Sequence, residues 1–314
     1  MHVHNFVIVS QYYHMNKLLI ICGPTATGKT KIAIDLAKKF NGELIGADSR
    51  HVYKGLNILT GKDLPVDGTK IWATDLVEMR VPYSVSQYQQ LARGIIDRIQ
   101  IRGNLPILVG GTGLYIRAVT QHIDTVLVPP NISLRDTVYK QTLPELQKTL
   151  QFLDPPKWGS MNSSDRANPR RLARAIEVAK WYQSHPKNDN PRDASYDSCW
   201  IGLTGPLEVL KKNIEQRVRA RFAHGVVDEV RSLGNTIDDA TLPAATSLGL
   251  AIVQGVVAGQ LQEAEAVIQW TSQEFAYAKR QLTWFRKEQR VHWFDITQKN
   301  YQTDIEALVR EWYT

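Results

Sequence analysis

The chain has 314 residues, enough for one large domain or two modest ones, and its 43% hydrophobic and 22% charged content is that of an ordinary globular protein. A formal charge of +7 favours polyanionic partners without naming one. Two cysteines, Cys22 and Cys199, exclude a disulfide framework and a four-cysteine zinc site, and no run approaches the ~18 apolar residues of a membrane span.

The opening "MHVHNFVIVSQYYH" has neither a basic start nor a long apolar stretch, so residues 1–16 read as an N-terminal extension rather than a signal peptide. A cytoplasmic location is expected. "KLLIICG", "GELIGADS" and "LPILVGGTG" are short apolar runs bounded by glycine, the pattern of buried parallel strands. Between them "KTKIAIDLAKKF" and "SVSQYQQLARGIIDRIQIRG" carry helical periodicity, the second with Val85, Tyr88, Leu91, Ile95 and Ile99 on one stripe. Strand and helix alternate, as in an α/β domain with a parallel sheet. Residues 121–198 break the rhythm: they are helical, rich in basic residues, and end in the loop-like "SHPKNDNPRDASYDS". "CWIGLTG" returns as a strand, followed by helices over 207–233 and 260–289 and a late strand, "VHWFDI". The expected organisation is a core built from 17–120 and 199–314, with a helical domain inserted at 121–198.

"GPTATGKT" fits G-x-x-x-x-G-K-[ST] and is read as a phosphate loop of Gly23, Pro24, Thr25, Ala26, Thr27, Gly28, Lys29 and Thr30. Its glycines let backbone N–H groups turn inward around an anion, and the helix that follows adds its positive dipole end. Lys29 brings a point charge, and the Thr30 hydroxyl suits Mg²⁺. This predicts a di- or triphosphate with Mg²⁺, not a reaction. Asp48 follows the second strand, at the end of a parallel sheet where ligands bind. A carboxylate there can hold metal, act as a general base or cap a turn. Lys54 and Lys62 are read as solvated surface lysines, and Cys22 as a small apolar core residue.

Three stretches, "GPTATGKT", "ADSRHVYKGLNILTGK" and "LVGGTGLYIRAV", resemble the tRNA dimethylallyltransferases (tRNA isopentenyltransferases) in order and spacing. "NPRRLARAIEVAKW" and "FAYAKRQLTWFRKEQRVHWFD" resemble two further blocks of that family, and the similarity runs from about 17 to 295. It implies a P-loop NTPase-like core with an inserted tRNA-clamping helical domain. The implied reaction moves the five-carbon group of dimethylallyl diphosphate to N6 of the adenosine 3′ of the anticodon, position 37, in the anticodon arm of tRNA. Pyrophosphate leaves, so the loop would grip a departing diphosphate and no phosphoryl group would move. A monomeric, bacterial-type enzyme without the eukaryotic zinc finger is implied.

The resemblance assigns Asp48 as general base and Thr112 and Arg280 as catalytic partners, Arg280 being preferred to Lys279 and Arg286 for the diphosphate. It assigns Ser49, Arg50, His51, Thr112, Arg135, Arg170, Arg171, Leu172, Ala173 and Arg174, with Asp48, to tRNA. Arg171 and Arg174, three apart, share a helix face, which without the resemblance reads as solvated. The sequence departs from the family at His51, where glutamine is usual, at Ile71 and Trp72, where histidines are usual, and at "LTGKDLP" in place of "GTAKP". An adenylate isopentenyltransferase acting on free nucleotides, a P-loop small-molecule kinase and a ligand-switched RNA-binding protein are the competing readings.

Overall fold

The computed structural model describes residues 16–62, 68–126, 128–185, 196–234 and 244–314. Of the expected N-terminal extension, 1–15 lie outside the described residues, whereas the Asn16 carbonyl accepts the Asp197 N–H at 3.0 Å. The chain falls into two compact units, one drawn from Met1–Gln121 and Ala194–Thr314, the other from His122–Asp193.

The first unit is built on a six-stranded sheet in the order β3-β2-β4-β1-β5-β6, every pairing parallel. The strands are β1 (Lys17–Cys22), β2 (Gly42–Gly46), β3 (Ile71–Trp72), β4 (Leu105–Val109), β5 (Asp197–Thr204) and β6 (Val291–Asp295). β1 shows why such runs read as continuously apolar. Leu18, Ile20 and Cys22 enter one core while Leu19 and Ile21 enter the other, so both faces of the strand are covered. Burial pushes the Cys22 thiol up to about 12, as befits an inert core residue. β5 begins at Asp197, inside the stretch expected to belong to the insertion, and pairs with β1 from Lys17 onward.

Helix α1 (Lys29–Phe40) buries Ile32, Ala33, Leu36, Ala37 and Phe40, a helical stripe, against one sheet face. It stops at Asn41, a left-handed cap whose N–H donates to the Ala37 carbonyl. After the short α2 (Asn57–Thr60), α3 (Val85–Ile101) starts at a capping box of Ser84 and Gln87 and packs on the opposite face with α4 (Gly113–Thr120).

The second unit has its own small core of Val138, Leu146, Leu150, Met161, Leu172 and Ile176. It contains α5 (Ile132–Val138), α6 (Leu143–Leu153), α7 (Pro155–Ser160), α8 (Ser163–Arg166) and α9 (Pro169–Ser184). Polar caps punctuate it: Asn131, Asp154, Asn162 and Asn168 each accept a backbone N–H at a helix start, and Thr142 with Glu145 forms a capping box.

The helical pattern expected over 207–233 is two helices, α10 (Leu207–Ala223) and α11 (Val226–Ser232), separated at Gly225 with φ 89°. α12 (Leu250–Val257), α13 (Glu263–Phe285) and α14 (Tyr301–Tyr313) complete the described chain. Among the described residues no helix is long and apolar enough to cross a membrane.

Candidate active site

β1 runs straight into the phosphate loop, which closes on itself at Pro24. The Pro24 carbonyl accepts from Thr27 Oγ1 at 2.9 Å and from Lys29 Nζ at 2.6 Å. Gly23 has φ 126°, and a Cβ there would collide with the Leu203 carbonyl, so only glycine lets the loop leave β1 beside β5. Ala26 adopts φ 62° although it is not glycine, a conformation that costs energy and that the surrounding loop must enforce. Three residues far away in sequence hold this loop. Arg217 Nη1 donates to Thr25 Oγ1 at 2.9 Å, Asn213 Nδ2 to the Ala26 carbonyl at 3.3 Å, and the Thr25 N–H donates to Gln281 Oε1 at 2.9 Å.

The loop opens on a cavity of about 610 Å³ at the carboxyl ends of the strands, lined by Lys29, Thr30, Asp48, His51, Arg217 and Arg280 among others. That is where a parallel α/β sheet places its ligands. Asp48 Oδ1 accepts the Arg50 N–H at 2.8 Å, so the residue does cap its own turn. Burial pushes its carboxyl up, but the His51 imidazole, the Arg50 N–H, and the charges of Arg50 and Lys29 outweigh that and hold it below the ordinary value. Asp48 is therefore a carboxylate near neutrality. Beside it, Ser49 N–H donates to Thr112 Oγ1 at 3.1 Å and Thr112 N–H to the Ala47 carbonyl at 3.1 Å, which ties the turn after β4 to the turn after β2. Arg50 Nη2 donates to Thr246 Oγ1 at 2.8 Å, and His51 Nε2 lies 3.3 Å from the Thr60 carbonyl.

The structure thus brings the loop, Asp48, Ser49, Arg50, His51 and Arg280 to one cavity, with Thr112 bonded directly behind Ser49. The remaining expected residues lie in the helical unit. There Arg170 and Arg171 are exposed, Arg171 pairing with Asp165. Leu172 and Ala173 turn into that unit's core. Arg135 and Arg174 converge on Glu177, which is only 2% exposed, and Arg174 Nη2 also donates to the Thr125 and Val128 carbonyls at 2.6 and 2.8 Å.

Lys62 corrects an expectation. Its side chain is buried, and it donates to the Tyr53 carbonyl at 2.5 Å and to Asn57 Oδ1 at 3.0 Å while pairing with Asp75. Lys54 is exposed and paired with Glu78. Sequence reasoning missed Asn213, Arg217, Tyr277 and Gln281, whose helical spacing reads only as amphipathic packing.

A phosphate loop between β1 and α1, at the end of a wholly parallel sheet with a basic cavity beside it, defines a P-loop α/β protein. Comparison with known proteins narrows this. The model of the IPP transferase family matches residues 51–288, and the chain belongs to that family. A curated tRNA dimethylallyltransferase of Geobacillus thermodenitrificans is 36% identical over 310 residues, covering 94% of this chain and 95% of the relative. The crystal structure of a tRNA isopentenylpyrophosphate transferase from Bacillus halodurans matches with TM-score 0.69 and 31% identity, over 95% and 97% of the two chains. A eukaryotic dimethylallyltransferase solved acting on tRNA shares the fold, with TM-score 0.79 at 22% identity, over 94% of this chain and 78% of its own.

Proposed function

We propose that this chain transfers the dimethylallyl group of dimethylallyl diphosphate to N6 of the adenosine 3′ of the anticodon in tRNA, with release of pyrophosphate. The observation that carries the proposal is a single cavity uniting an anion loop, the Arg280 cation and an ionised Asp48. Family membership supports it, as do the names of the relatives, and neither the free-nucleotide nor the kinase reading has a comparable observation behind it.

In the reaction the adenine N6 lone pair forms a bond to the allylic carbon as the bond from that carbon to the diphosphate oxygen breaks. The proton lost from N6 goes to Asp48. Its Oδ1 is engaged by the Arg50 N–H, so Oδ2 is the oxygen assigned to that task. Negative charge grows on the departing diphosphate, and inward N–H groups of the loop, Lys29 and Arg280 are suited to stabilise it. Thr112, through its bond from the Ser49 N–H, fixes the turn that carries Asp48.

The donor set fits Mg²⁺ when it comes with the diphosphate. Among the described residues no group of three His, Cys, Asp or Glu could hold a metal, so diphosphate oxygens and water would complete the shell around the Thr30 hydroxyl. The ion would supply charge neutralisation at the leaving group. On the helical unit, exposed Arg170 and Arg171 are the side chains we assign to tRNA phosphates. The enzyme is proposed to act as a monomer in the cytoplasm.

Labelled dimethylallyl diphosphate and, separately, ATP, each incubated with total bacterial tRNA, test the reading. We expect N6-prenylated adenosine with one pyrophosphate released per group and no ATP consumed. ATP turnover with no prenylated tRNA would refute it.

A further inference from the structure

Gln281 sits on α13 with 5% of its surface exposed, and both ends of its amide are used across long sequence gaps. Oε1 accepts the Thr25 N–H of the phosphate loop at 2.9 Å, and Nε2 donates to the Gly111 carbonyl at 3.0 Å. Gly111 admits this approach because a Cβ there would collide with Nε2. The next residue, Thr112, anchors the Ser49 N–H and so the Asp48 turn. One helical turn before Gln281, Tyr277 lines the same cavity. One rigid helix therefore touches the loop that would grip the leaving group and the turn that supports the base.

A buried amide of this kind is demanding. Its replacement by an apolar side chain leaves the Thr25 N–H and the Gly111 carbonyl without these partners. Nothing in the chemistry of the two loops requires a shared support, since each has its own backbone bonds. What a shared support adds is fixed relative position, and bringing a nucleophile to an allylic carbon depends on position to within about 1 Å.

We propose that Gln281 is a positioning residue that couples the donor half of the site to the acceptor half, so that each substrate orders the loop that receives the other. This rests on the transferase reading above. Gln281 touches no reacting atom; it acts through Thr25 and Gly111.

The test measures the affinity for tRNA with and without a dimethylallyl diphosphate analogue bearing sulfur at the bridging position. The reciprocal measurement is made as well, together with single-turnover rates at saturation of both true substrates. In the native protein each ligand should tighten the other by about 5-fold or more, the lower end of ordinary coupling between sites. In Gln281→Met, which keeps the length but loses both hydrogen bonds, that factor should fall toward 1 and the single-turnover rate should drop by about 10- to 100-fold. Each ligand's affinity measured alone should change by less than the coupling does. Gln281→Glu still accepts from Thr25 but cannot donate to Gly111, and should show the same loss of coupling. If Gln281→Met does not fold, Gln281→Glu decides: it keeps the size and the bond from the Thr25 N–H, and its coupling factor should still fall toward 1. A purely structural Gln281 would lower the melting temperature and both affinities while leaving the coupling factor and the saturated rate within 2-fold of native, and that result overturns the proposal. A native protein that makes no prenylated tRNA at all would instead overturn the functional reading on which the proposal rests.

Discussion

Replacing Arg174 by alanine separates an RNA-facing arginine from one that holds the helical unit together. The guanidinium makes an ion pair with Glu177 and two hydrogen bonds to the Thr125 and Val128 carbonyls. Glu177 is 2% exposed and keeps Arg135 and the Asn131 N–H as partners in the variant, so its charge is not abandoned. The Arg174 side chain is itself 33% exposed, and water will partly replace it at the carbonyls. Removing a buried partner outright costs about 3–5 kcal/mol, and these two features lower the expected loss to about 2–3 kcal/mol. For a unit of this size each kcal/mol corresponds to about 4–8 °C in melting temperature. Urea unfolding with amide exchange in α6 and α9 gives the measurement. Arg171→Ala is the contrast: its partner Asp165 lies on the surface, so stability should change by about 1 kcal/mol or less. Its expected effect is on tRNA affinity, with the salt slope reduced by about 0.7–0.9 for one lost phosphate contact. Full stability in Arg174→Ala combined with a reduced salt slope would refute the structural account of Arg174.

At the catalytic cavity, Asp48→Asn can still accept from the Arg50 N–H but cannot take a proton; single-turnover rates should fall by about 10²–10⁴ while tRNA and diphosphate affinities persist, and rescue by extra Mg²⁺ would mark it as a metal ligand instead. Because the Asp48 carboxyl lies below its ordinary 3.8, the base is present across about pH 5–8 and is lost only in acid, so a rate that titrates with Asp48 near neutrality would contradict the assignment. Lys29→Ala should weaken diphosphate binding and slow the chemical step together, as direct binding and quench-flow assays would show. Glu177 is pushed up by burial, but Arg135, the Asn131 N–H and Arg174 outweigh this and hold it below 4.5. Its stabilisation of the helical unit is thus complete above the unfolded-chain value and is lost as pH falls through the lower folded value, which acid unfolding of native and Glu177→Gln proteins would reveal.

The parts of this fold legible from sequence are those whose cause is local. The phosphate loop, α1 and β1 each carry their signal within a dozen residues, because burial on one stripe or two faces leaves a period in the chain. β3 left none: two residues, Ile71 and Trp72, are too few to show an alternation. The break between α10 and α11 had a signal in Gly225, but apolar periodicity continues on either side and hides it.

The site divides in the same way. Asp48 stood out in the sequence because it follows a strand, and it lines the cavity with Oδ1 engaged in a turn-capping bond. Gln281 and Arg217 were not legible, because their partners lie at Thr25, Gly111 and Gly61, positions that only the closed sheet brings near, and Lys62 was not because it folds back on Tyr53 and Asn57 in a loop that carries no period. Arg135 and Arg174 were assigned to tRNA by the resemblance, not by their spacing. Both make ion pairs with the buried Glu177, while about a third of each side chain stays exposed. The exposed cations of that unit include Arg170 and Arg171 together with Lys140, Lys148, Lys157 and Lys180. A charge count over the segment overstates what RNA can meet.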